Sequence, residues 1–308
     1  MIKHTKVLML ASMLLFMLVS CKKDEAVPAK TIAALVTENA NLSLLRVAVV
    51  RAGLVETLSG QGTFTVFAPD NTAFTAAGLG TEAAINAVPE ATLRQILLYH
   101  VLAQEYTSGS IPSATTELNT AADARVYVTK NSNGVFVNGA AVTAADIDAQ
   151  NGVVHVVNKV LMPPPGNLVQ LAQANTNLSF LVAAVVRASQ GTTNVAAVLS
   201  GAGPFTVFAP TNTAFQNAGF PTIESIQQAD PNTLASILTY HVIAARVFSS
   251  DLTEGARPAT LNGANVTITL TGGAKVKGNS NNTASNITST NIIASNGVVH
   301  VIDAVLLP

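Results

Sequence analysis

Four histidines recur as two pairs, and they are the side chains in this sequence best suited to acid–base or metal chemistry. They are His100 and His155 in the first half of the chain and His241 and His300 in the second. A neutral imidazole can ligate a metal ion or accept a proton near neutral pH. No acidic residue lies within a few positions of His100 or His155. The spacing therefore indicates neither a metal site nor a carboxylate–imidazole pair.

The residues around these histidines favour a structural role over a catalytic one. His100 is flanked by leucine and valine residues, and His155 lies within the valine run 153–157. Imidazoles in such surroundings usually bond a backbone carbonyl or a hydroxyl group. The sequence also lacks a Gly-x-Ser-x-Gly nucleophile motif, a phosphate loop and a dinucleotide fingerprint. We predict no catalytic residue, no metal site and no cofactor, and hence a protein that is not an enzyme.

Cys21 is the single cysteine, which excludes an intrachain disulfide and a cysteine-ligated zinc site. It follows the apolar run 7–19, which is itself preceded by basic residues. As a helix this run would be about 20 Å long, which is too short to span a hydrocarbon core of about 30 Å. This pattern predicts a signal peptide over residues 1–20. The ending Leu-Val-Ser-Cys resembles a bacterial lipobox, which makes Cys21 the expected site of lipid attachment to the membrane. The alternative is an ordinary secreted protein with an incidental cysteine.

The tether 21–29 carries the charge run Lys22-Lys23-Asp24-Glu25. This run resembles the tag that directs some Bacteroidetes lipoproteins to the exterior of the outer membrane, and its alternative is a short solvated segment. Charged residues make up only 11% of the chain and the net charge is −1, so the chain lacks the positive field that attracts nucleic acid. We predict an outer-membrane, lipid-anchored protein facing the exterior, with no nucleic-acid partner.

An internal repeat sets the domain organisation. The segment 64–74 recurs at 205–215, Tyr99-His100 recurs as Tyr240-His241 at the same offset of 141 residues, and Asn-Gly-Val-Val-His-Val at 151–156 recurs after 145 residues. A repeat of this length can bury its own core.

The boundary between the copies is the proline-rich segment 163–166. Consecutive prolines hold an extended, semi-rigid conformation. We predict a first domain over 30–162, a linker over 163–166 and a second domain over 167–308.

Each copy changes from a helical to a strand pattern along its length. Apolar residues over 31–51 follow helical spacing, whereas Asn-Gly pairs after residue 130 separate short apolar runs, which is a hairpin signal. Asn71 and Asn212 follow a proline and are expected to bond their own backbone in a turn. The polar stretch 275–291 is expected to be a solvated loop or, alternatively, a contact loop.

These motifs together resemble the fasciclin (FAS1) domain. The resemblance rests on Phe-Thr-Val-Phe-Ala-Pro-Asp/Thr-Asn-Thr-Ala-Phe, on Tyr-His after a helix, and on the closing Asn-Gly-Val-Val-His-Val segment, and it covers residue 30 to the C-terminus of the sequence. Departures from the family pattern are Asp70 and the pair Asn158-Lys159, which affect local hydrogen bonds. The resemblance implies an α+β fold, with two tandem domains that each pack a wedge of two small β-sheets against several α-helices.

The resemblance also implies an extracellular adhesion role. We expect a surface-anchored protein that contacts protein or glycan on a host, a neighbouring cell or the matrix. In animal members the Tyr-His pair is implicated in partner binding, which transfers to Tyr99, His100, Tyr240 and His241, although their apolar neighbours favour a role in holding the fold. The alternative function is capture of a small ligand or glycan for an outer-membrane uptake system, in a cleft between the domains.

Overall fold

The computed structural model describes residues 30–308, whose helices and strands form two α+β domains with the same element order. The predicted signal peptide, the tether and Cys21 lie outside the described residues. The elements of the first domain are α1 (Ile32–Glu38), α2 (Ser43–Arg51), α3 (Val55–Ser59), β1 (Phe64–Pro69), α4 (Asn71–Ala76), α5 (Glu82–Ala87), α6 (Glu90–Leu98), β2 (Val101–Leu102), β3 (Thr116–Asn119), β4 (Arg125–Asn131), β5 (Gly134–Val137), β6 (Ala140–Ala149) and β7 (Gly152–Val157).

The second domain repeats this order with one strand fewer. Its elements are α7 (Leu168–Gln173), α8 (Ser179–Ala188), α9 (Val195–Ser200), β8 (Phe205–Pro210), α10 (Asn212–Asn217), α11 (Ile223–Gln228), α12 (Pro231–Tyr240), β9 (Val242–Ile243), β10 (Thr267–Thr269), β11 (Lys275–Lys277), β12 (Ser285–Ala294) and β13 (Gly297–Ile302). The counterpart of β3 is an irregular segment that forms one regular bridge, between Ala259 and Asn265, and further backbone hydrogen bonds between residues 255–260 and 264–268. Pro258, which has no N–H to donate, stands in this segment.

Each domain contains one continuous sheet with a parallel pair of strands inside it. The strand order is β2-β1-β7-β6-β5-β4-β3 in the first domain and β10-β11-β12-β13-β8-β9 in the second. Strands β1 and β7 pair in parallel, as do β8 and β13. The two small sheets expected in each domain are joined by the long strand β6 or β12, which bends at register shifts after Val142 and Ile287 respectively.

Both faces of strand β1 are covered. Val66 and Ala68 pack against the helices, whereas Phe67 packs with Tyr99 against the far end of the sheet. This alternation follows from the two-residue period of a strand. A strand buried on both faces reads as a nearly continuous apolar run, which explains the Phe-Thr-Val-Phe-Ala-Pro motif.

The helical pattern over residues 31–51 is divided by Asn39. Its side chain accepts a hydrogen bond from the backbone N–H of Asn41 at 2.9 Å and begins a short 3-10 turn over Ala40–Leu42. Thr31 caps α1 in the same manner through Ala34. Local side-chain capping therefore divides a segment whose apolar spacing shows no break.

Asn71 and Asn212 do not bond their own backbone as the sequence predicted. The Asn71 amide accepts from the N–H of Leu44 at 3.0 Å and donates to the carbonyl of Ala40 at 3.0 Å, and Asn212 makes the equivalent bonds in the second domain. Asp70 takes the local role instead, since its carboxylate caps α4 through Ala73. The asparagine of the motif thus ties the first turn of α4 to the start of α2.

A buried asparagine at the last hairpin connects three separate segments in each domain. The Asn151 side chain accepts from the N–H of Ile32 at 2.9 Å and donates to the carbonyls of Leu58 and Gly60 at 3.0 and 2.9 Å. Asn296 makes the same three bonds with Leu168, Leu199 and Gly201, at 3.0, 2.9 and 2.6 Å. The asparagine of each Asn-Gly pair is therefore a tertiary connector as well as a turn residue.

Replacing this asparagine should destabilise the domain that contains it. Asn151→Ala removes three hydrogen bonds and leaves one N–H and one carbonyl buried, and a second carbonyl partly buried, without this partner, so we expect a loss of about 2–4 kcal/mol in the free energy of unfolding. Urea denaturation measures the loss. Asn133→Ala, at an exposed turn position, is the control and should change stability by about 0.5 kcal/mol at most. Equal effects of the two variants would contradict this role.

Candidate functional site

The histidine of each Tyr-His pair is buried and holds two backbone segments together. His100 is 2% exposed and His241 1% exposed. The Nδ1 atom of His100 lies 2.8 Å from the carbonyl of Ile96, and its Nε2 accepts from the N–H of Leu161 at 2.8 Å. Because Nε2 accepts, Nδ1 carries the proton and donates to Ile96. His241 makes the same pair of contacts with Ile237 and Leu306.

Burial fixes the charge state of these two rings. It lowers the pKa of His100 and of His241 to about 4, with the bond to the helix carbonyl acting in the opposite direction. Both rings are therefore neutral at pH 7, and both nitrogens of each ring are occupied. Neither imidazole has a lone pair or a proton free for catalysis or for a metal ion.

The tyrosines of the two pairs are equally enclosed. Tyr99 donates its hydroxyl proton to the carbonyl of Arg125 at 2.7 Å and accepts from the amide of Asn138 at 3.0 Å. Tyr240 donates to the carbonyl of Asn265 at 2.7 Å and accepts from the N–H of Asn279 at 3.0 Å. Burial raises the pKa of Tyr99 to about 12. Each hydroxyl links the end of a helix to the sheet.

The suggestion that Tyr99, His100, Tyr240 and His241 contact a partner stays a prediction. All four side chains are buried, with their polar atoms bonded inside the domain. A partner could reach them only after local opening of the helix–sheet contact. The geometry supports the architectural interpretation of the Tyr-His pair.

The second histidine of the first domain has an acid nearby in space that the sequence spacing did not reveal. The backbone N–H of Asp146 donates to Nδ1 of His155 at 3.2 Å, and Nε2 of His155 lies 2.8 Å from the carbonyl of Tyr106. The Asp146 carboxylate instead accepts from the hydroxyl and the N–H of Ser108, which lowers its pKa. Serine, aspartate and histidine are thus adjacent, but no carboxylate contacts the imidazole and no imidazole contacts the serine, as a catalytic triad requires.

The second domain shows that this trio serves the fold. Its counterpart is Ser249, Asn291 and His300, and the Asn291 amide bonds the N–H of Ser249 at 2.8 Å and its hydroxyl at 2.7 Å. An amide performs the task of the carboxylate, so the contact does not depend on an ionisable group. Asp146 and Asn291 both adopt positive φ, 57° and 59°, a conformation that suits Asp and Asn better than most side chains.

Residues 30–308 contain no group of three histidine, cysteine, aspartate or glutamate side chains arranged to hold a metal ion.

Within residues 30–308 no single helix combines the length and apolar character needed to cross a bilayer. A pair of helices, Ile32–Glu38 and Ala40–Arg51, reaches that length only across a bend of 100°.

The polar stretch 275–291 consists of a strand, a loop and most of the next strand. Residues 278–281 of the loop bond the last residues of the chain: Asn281 donates to the carbonyl of Val305 at 2.9 Å and accepts from the N–H of Leu307 at 2.9 Å. Asn279 also bonds the hydroxyl of Tyr240. The Asn281 side chain therefore holds the end of the second domain, while residues 282 and 283 are exposed.

The two domains meet at an aromatic and cationic contact. The guanidinium carbon of Arg246 lies 3.9 Å from the centre of the Tyr127 ring, and the rings of Tyr127 and Phe248 are 6.1 Å apart. Ile293 and Val298 complete a buried apolar cluster with the two aromatic rings. A cation over an aromatic face is worth about 0.5–2 kcal/mol, the upper end applying where the pair is desolvated.

Hydrogen bonds across the junction supplement this contact. Asn131 donates to the carbonyl of Ser250 at 3.0 Å, and Asn291 donates to the carbonyl of Gly139 at 3.3 Å. Arg246 is itself held by a bond of 2.7 Å to the carbonyl of Gly297. The described structure therefore has a specific interface between the domains in addition to the proline-rich linker.

The aromatic and cationic residues of the junction differ between the two copies. Arg246 occupies the position of Glu105 in the other copy, and Phe248 occupies the position of Thr107. Core residues recur in both copies because each copy must build a core. The side chains by which one copy contacts the other do not recur, so the repeat does not reveal them. The sequence signal for this interface is the difference between the copies.

The chain belongs to the fasciclin domain family, since the family model matches residues 40–163 and 177–308. Two copies of that domain in tandem confirm the predicted fold class. Transforming growth factor-beta-induced protein ig-h3 of Sus scrofa is 28% identical over 254 residues, which are 82% of this chain and 35% of that protein. Periostin of Homo sapiens is 29% identical over 262 residues, 83% of this chain and 29% of that protein. The chain thus spans about a third of the length of these relatives.

A shorter bacterial relative matches about one domain. Protein sll1483 of Synechocystis is 41% identical over 137 residues, which are 44% of this chain and 75% of that protein. Among solved structures, a FAS1 domain pair from the insect cell adhesion molecule fasciclin I aligns with 86% of this chain and 96% of its own, at 19% identity and a TM-score of 0.43.

Acid should weaken the fold before it protonates most carboxylates. The folded-state pKa of His100 and His241 is about 4, against about 6.5 in the unfolded chain, so the unfolded state takes up the protons between these values. The free energy of unfolding should be constant above about pH 6.5 and fall by roughly 3 kcal/mol per histidine as the pH approaches 4. Burial lowers the pKa of His300 as well, which adds to the same trend.

Denaturant titrations at several pH values from 7 to 4.5 measure how steeply the free energy of unfolding falls with pH. In His100→Asn the free energy of unfolding should fall less steeply with pH, because the contribution of one buried histidine is gone. This change in slope is expected whether or not the variant is less stable at pH 7. A slope unchanged by the substitution would contradict neutral, clamped rings.

Loss of the junction contact should loosen the domain pair without unfolding either domain. Arg246→Ala removes the cation over Tyr127, so we expect a larger radius of gyration and a broader distance distribution by small-angle X-ray scattering. Arg187→Ala is the matched control, because Arg187 bonds the carbonyl of Ala229 and the side chain of Gln190 within one domain. If the two variants scatter alike, Arg246 does not fix the domain orientation.

Proposed function

We propose that this protein is a surface-anchored binding protein of the cell envelope, with two fasciclin domains that mediate contact with neighbouring cells, a host or the surrounding matrix. Membership of the fasciclin domain family supports a general adhesion or binding role. Protein or glycan is the proposed partner class. No catalytic step is part of the proposal.

The observation that carries this proposal is that the repeated polar side chains are engaged inside the fold. The Tyr-His pair and Asn151 with its counterpart Asn296 bond backbone groups of their own domain, and the trio at Ser108 does the same. These side chains are thus committed to architecture. What differs between the copies is their outer surface, as expected of two modules with one scaffold and separate contacts.

The junction adds a reason to treat the two domains as one binding unit. Because Tyr127, Arg246 and Phe248 fix one domain against the other, contacts on both domains can engage an extended partner together. Simultaneous engagement raises the effective affinity of individually weak contacts. Attachment of many copies through a lipid on Cys21, at the exterior of the outer membrane, would extend the same gain across a cell surface.

Adhesion assays test the proposal at two levels. Purified two-domain protein should bind one or more immobilised matrix proteins or glycans saturably, and cells lacking the gene should adhere less than cells with it. Arg246→Ala should weaken binding to an extended surface more than binding to a short fragment of it, whereas Arg187→Ala should change neither. Adhesion and binding indistinguishable from controls would refute the proposal.

Protease treatment of intact cells tests the proposed location. A protein facing the exterior should be digested while the outer membrane is intact, and Cys21→Ser should release it from the membrane fraction. A periplasmic protein of the same cells is the control and should stay protected. Protection of this chain together with the control would place it inside the envelope.

A second function is capture of a small ligand or glycan, which two clefts at the domain junction favour. One, of about 220 Å³, is lined by the linker and by Asn138, Lys159 and Asn291. The other, of about 320 Å³, lies between Asp123, Arg125, Tyr127 and Pro164. Both combine polar groups with apolar walls, as ligand sites do.

A thermal-shift panel of sugars distinguishes this function from adhesion. A ligand that binds in the cleft lined by Lys159 should raise the melting temperature of the native protein and should lose most of that effect in Lys159→Ala. Lys130→Ala, at a lysine that bonds Ser108 within the first domain, is the control. The absence of any shift across the panel would leave adhesion as the supported function.

A further inference from the structure

The second domain contains an apolar cavity that is open to the surface on its helical side. It has a volume of about 120 Å³ and lies between α7, α8, α9 and the central strands of the sheet. Val207 and Val299 of the sheet form its floor together with His241. We propose that this cavity binds the end of an acyl or alkyl chain.

The walls of the cavity restrict the ligand to neutral, apolar groups. His241 is a polar residue at the floor, but both its ring nitrogens are bonded, to the carbonyl of Ile237 and to the N–H of Leu306, each at 2.8 Å. It therefore offers no hydrogen bond and no charge to a ligand. A carboxylate, phosphate or hydroxyl group inserted here would be desolvated without a partner.

The volume matches the terminal part of a hydrocarbon chain. An apolar cavity of about 150 Å³ lined by aliphatic and aromatic side chains binds benzene, so an apolar cavity of about 120 Å³ accommodates a group of slightly smaller size. Filling it restores the dispersion contacts that its lining lacks. Each inserted methylene group also removes apolar surface from water, so affinity should rise with the length of chain that the cavity takes up.

The mouth favours a chain over a compact molecule. Val182 is half-buried and Val186, at 57% exposure, continues the apolar lining to the outer surface of α8, while the exposed Gln173 lies on α7 at the opposite side. A compact ring would use only the interior. A chain would insert its end, lie along the valines and keep its polar head in water near Gln173.

The first domain has different residues at the equivalent positions. Arg46 stands at the place of Val182, and the buried Val36 stands at the place of Ala172. A cation thus occupies the mouth position and a larger side chain occupies one wall. The exposed valine itself is common to both domains, since Val50 corresponds to Val186 and is 63% exposed. The apolar entrance is therefore specific to the second domain.

Methyl-detected NMR with 1-decanol as the probe tests the site. In the two-domain protein, 1-decanol should cause saturable shifts of the Val182, Val185 and Leu199 methyl groups, with none at Val49 and Leu58 of the first domain. Ala196→Leu places a larger side chain in the cavity wall and should weaken binding about tenfold or more, whereas Val55→Leu, the equivalent substitution in the first domain, should leave it unchanged. Ala172→Val, which introduces the residue of the first domain, should also weaken binding.

Four outcomes would overturn the proposal. They are no saturable shift with 1-decanol, equal shifts in the two domains, binding that Ala196→Leu does not weaken, and binding of benzene without binding of 1-decanol. A fifth outcome would show that the cavity mouth serves self-association and not ligand binding. If the same methyl groups shift on concentrating the protein without probe, and Val186→Lys abolishes that shift, the mouth is a contact between copies and not a ligand site.

Discussion

In each domain a buried imidazole joins a helix to the last segment of that domain through two hydrogen bonds. His100 joins the last turn of α6 to the segment after β7, and His241 joins α12 to the segment after β13, so one ring connects the middle of each domain to its end. The contact requires a donor on one nitrogen and an acceptor on the other, which only a neutral imidazole provides. Because the ring is enclosed, the surrounding helices and strands must pack closely enough to exclude water. The tyrosine beside it extends the same connection into the sheet.

Much of the fold could be predicted because the residues that build the core and its buried contacts are the ones that the two copies share. The two-domain division and the hairpin at Asn138-Gly139 follow from the sequence, and so does the short β run expected at 64–67, which the structure extends to Pro69. The hairpin turn has positive φ at both residues, as an Asn-Gly turn of this type requires. The helical pattern over 31–51 did not reveal where one helix ends and the next begins, because Asn39 caps a new turn inside it. Capping of this kind is decided by one side chain and does not alter hydrophobic periodicity.

Tertiary roles of polar side chains could not be predicted from spacing. Asn71 bonds a helix 27 residues earlier in the chain, and Asn151 bonds a residue 119 positions away. The proximity of Asp146 to His155 arises from two adjacent strands with a register shift between them. The junction at Tyr127 and Arg246 depends on the relative placement of whole domains. Each of these contacts needs the folded geometry, although each residue type was visible in the sequence.

The proline at the place of β3 has a consequence for the outer edge of the second sheet. An edge strand with regularly spaced free amides can pair with a strand of another molecule and so begin aggregation. Pro258 has no N–H to donate to the neighbouring strand β10, and only one regular bridge, between Ala259 and Asn265, forms where the first domain has continuous pairing. The outer segment of the second sheet is therefore irregular, and an irregular edge is a poor template for a strand of another molecule. In the first domain the outer strand is only four residues long and carries Glu117, which forms an ion pair with Arg125. Both sheets thus end in margins that resist fibrillar stacking.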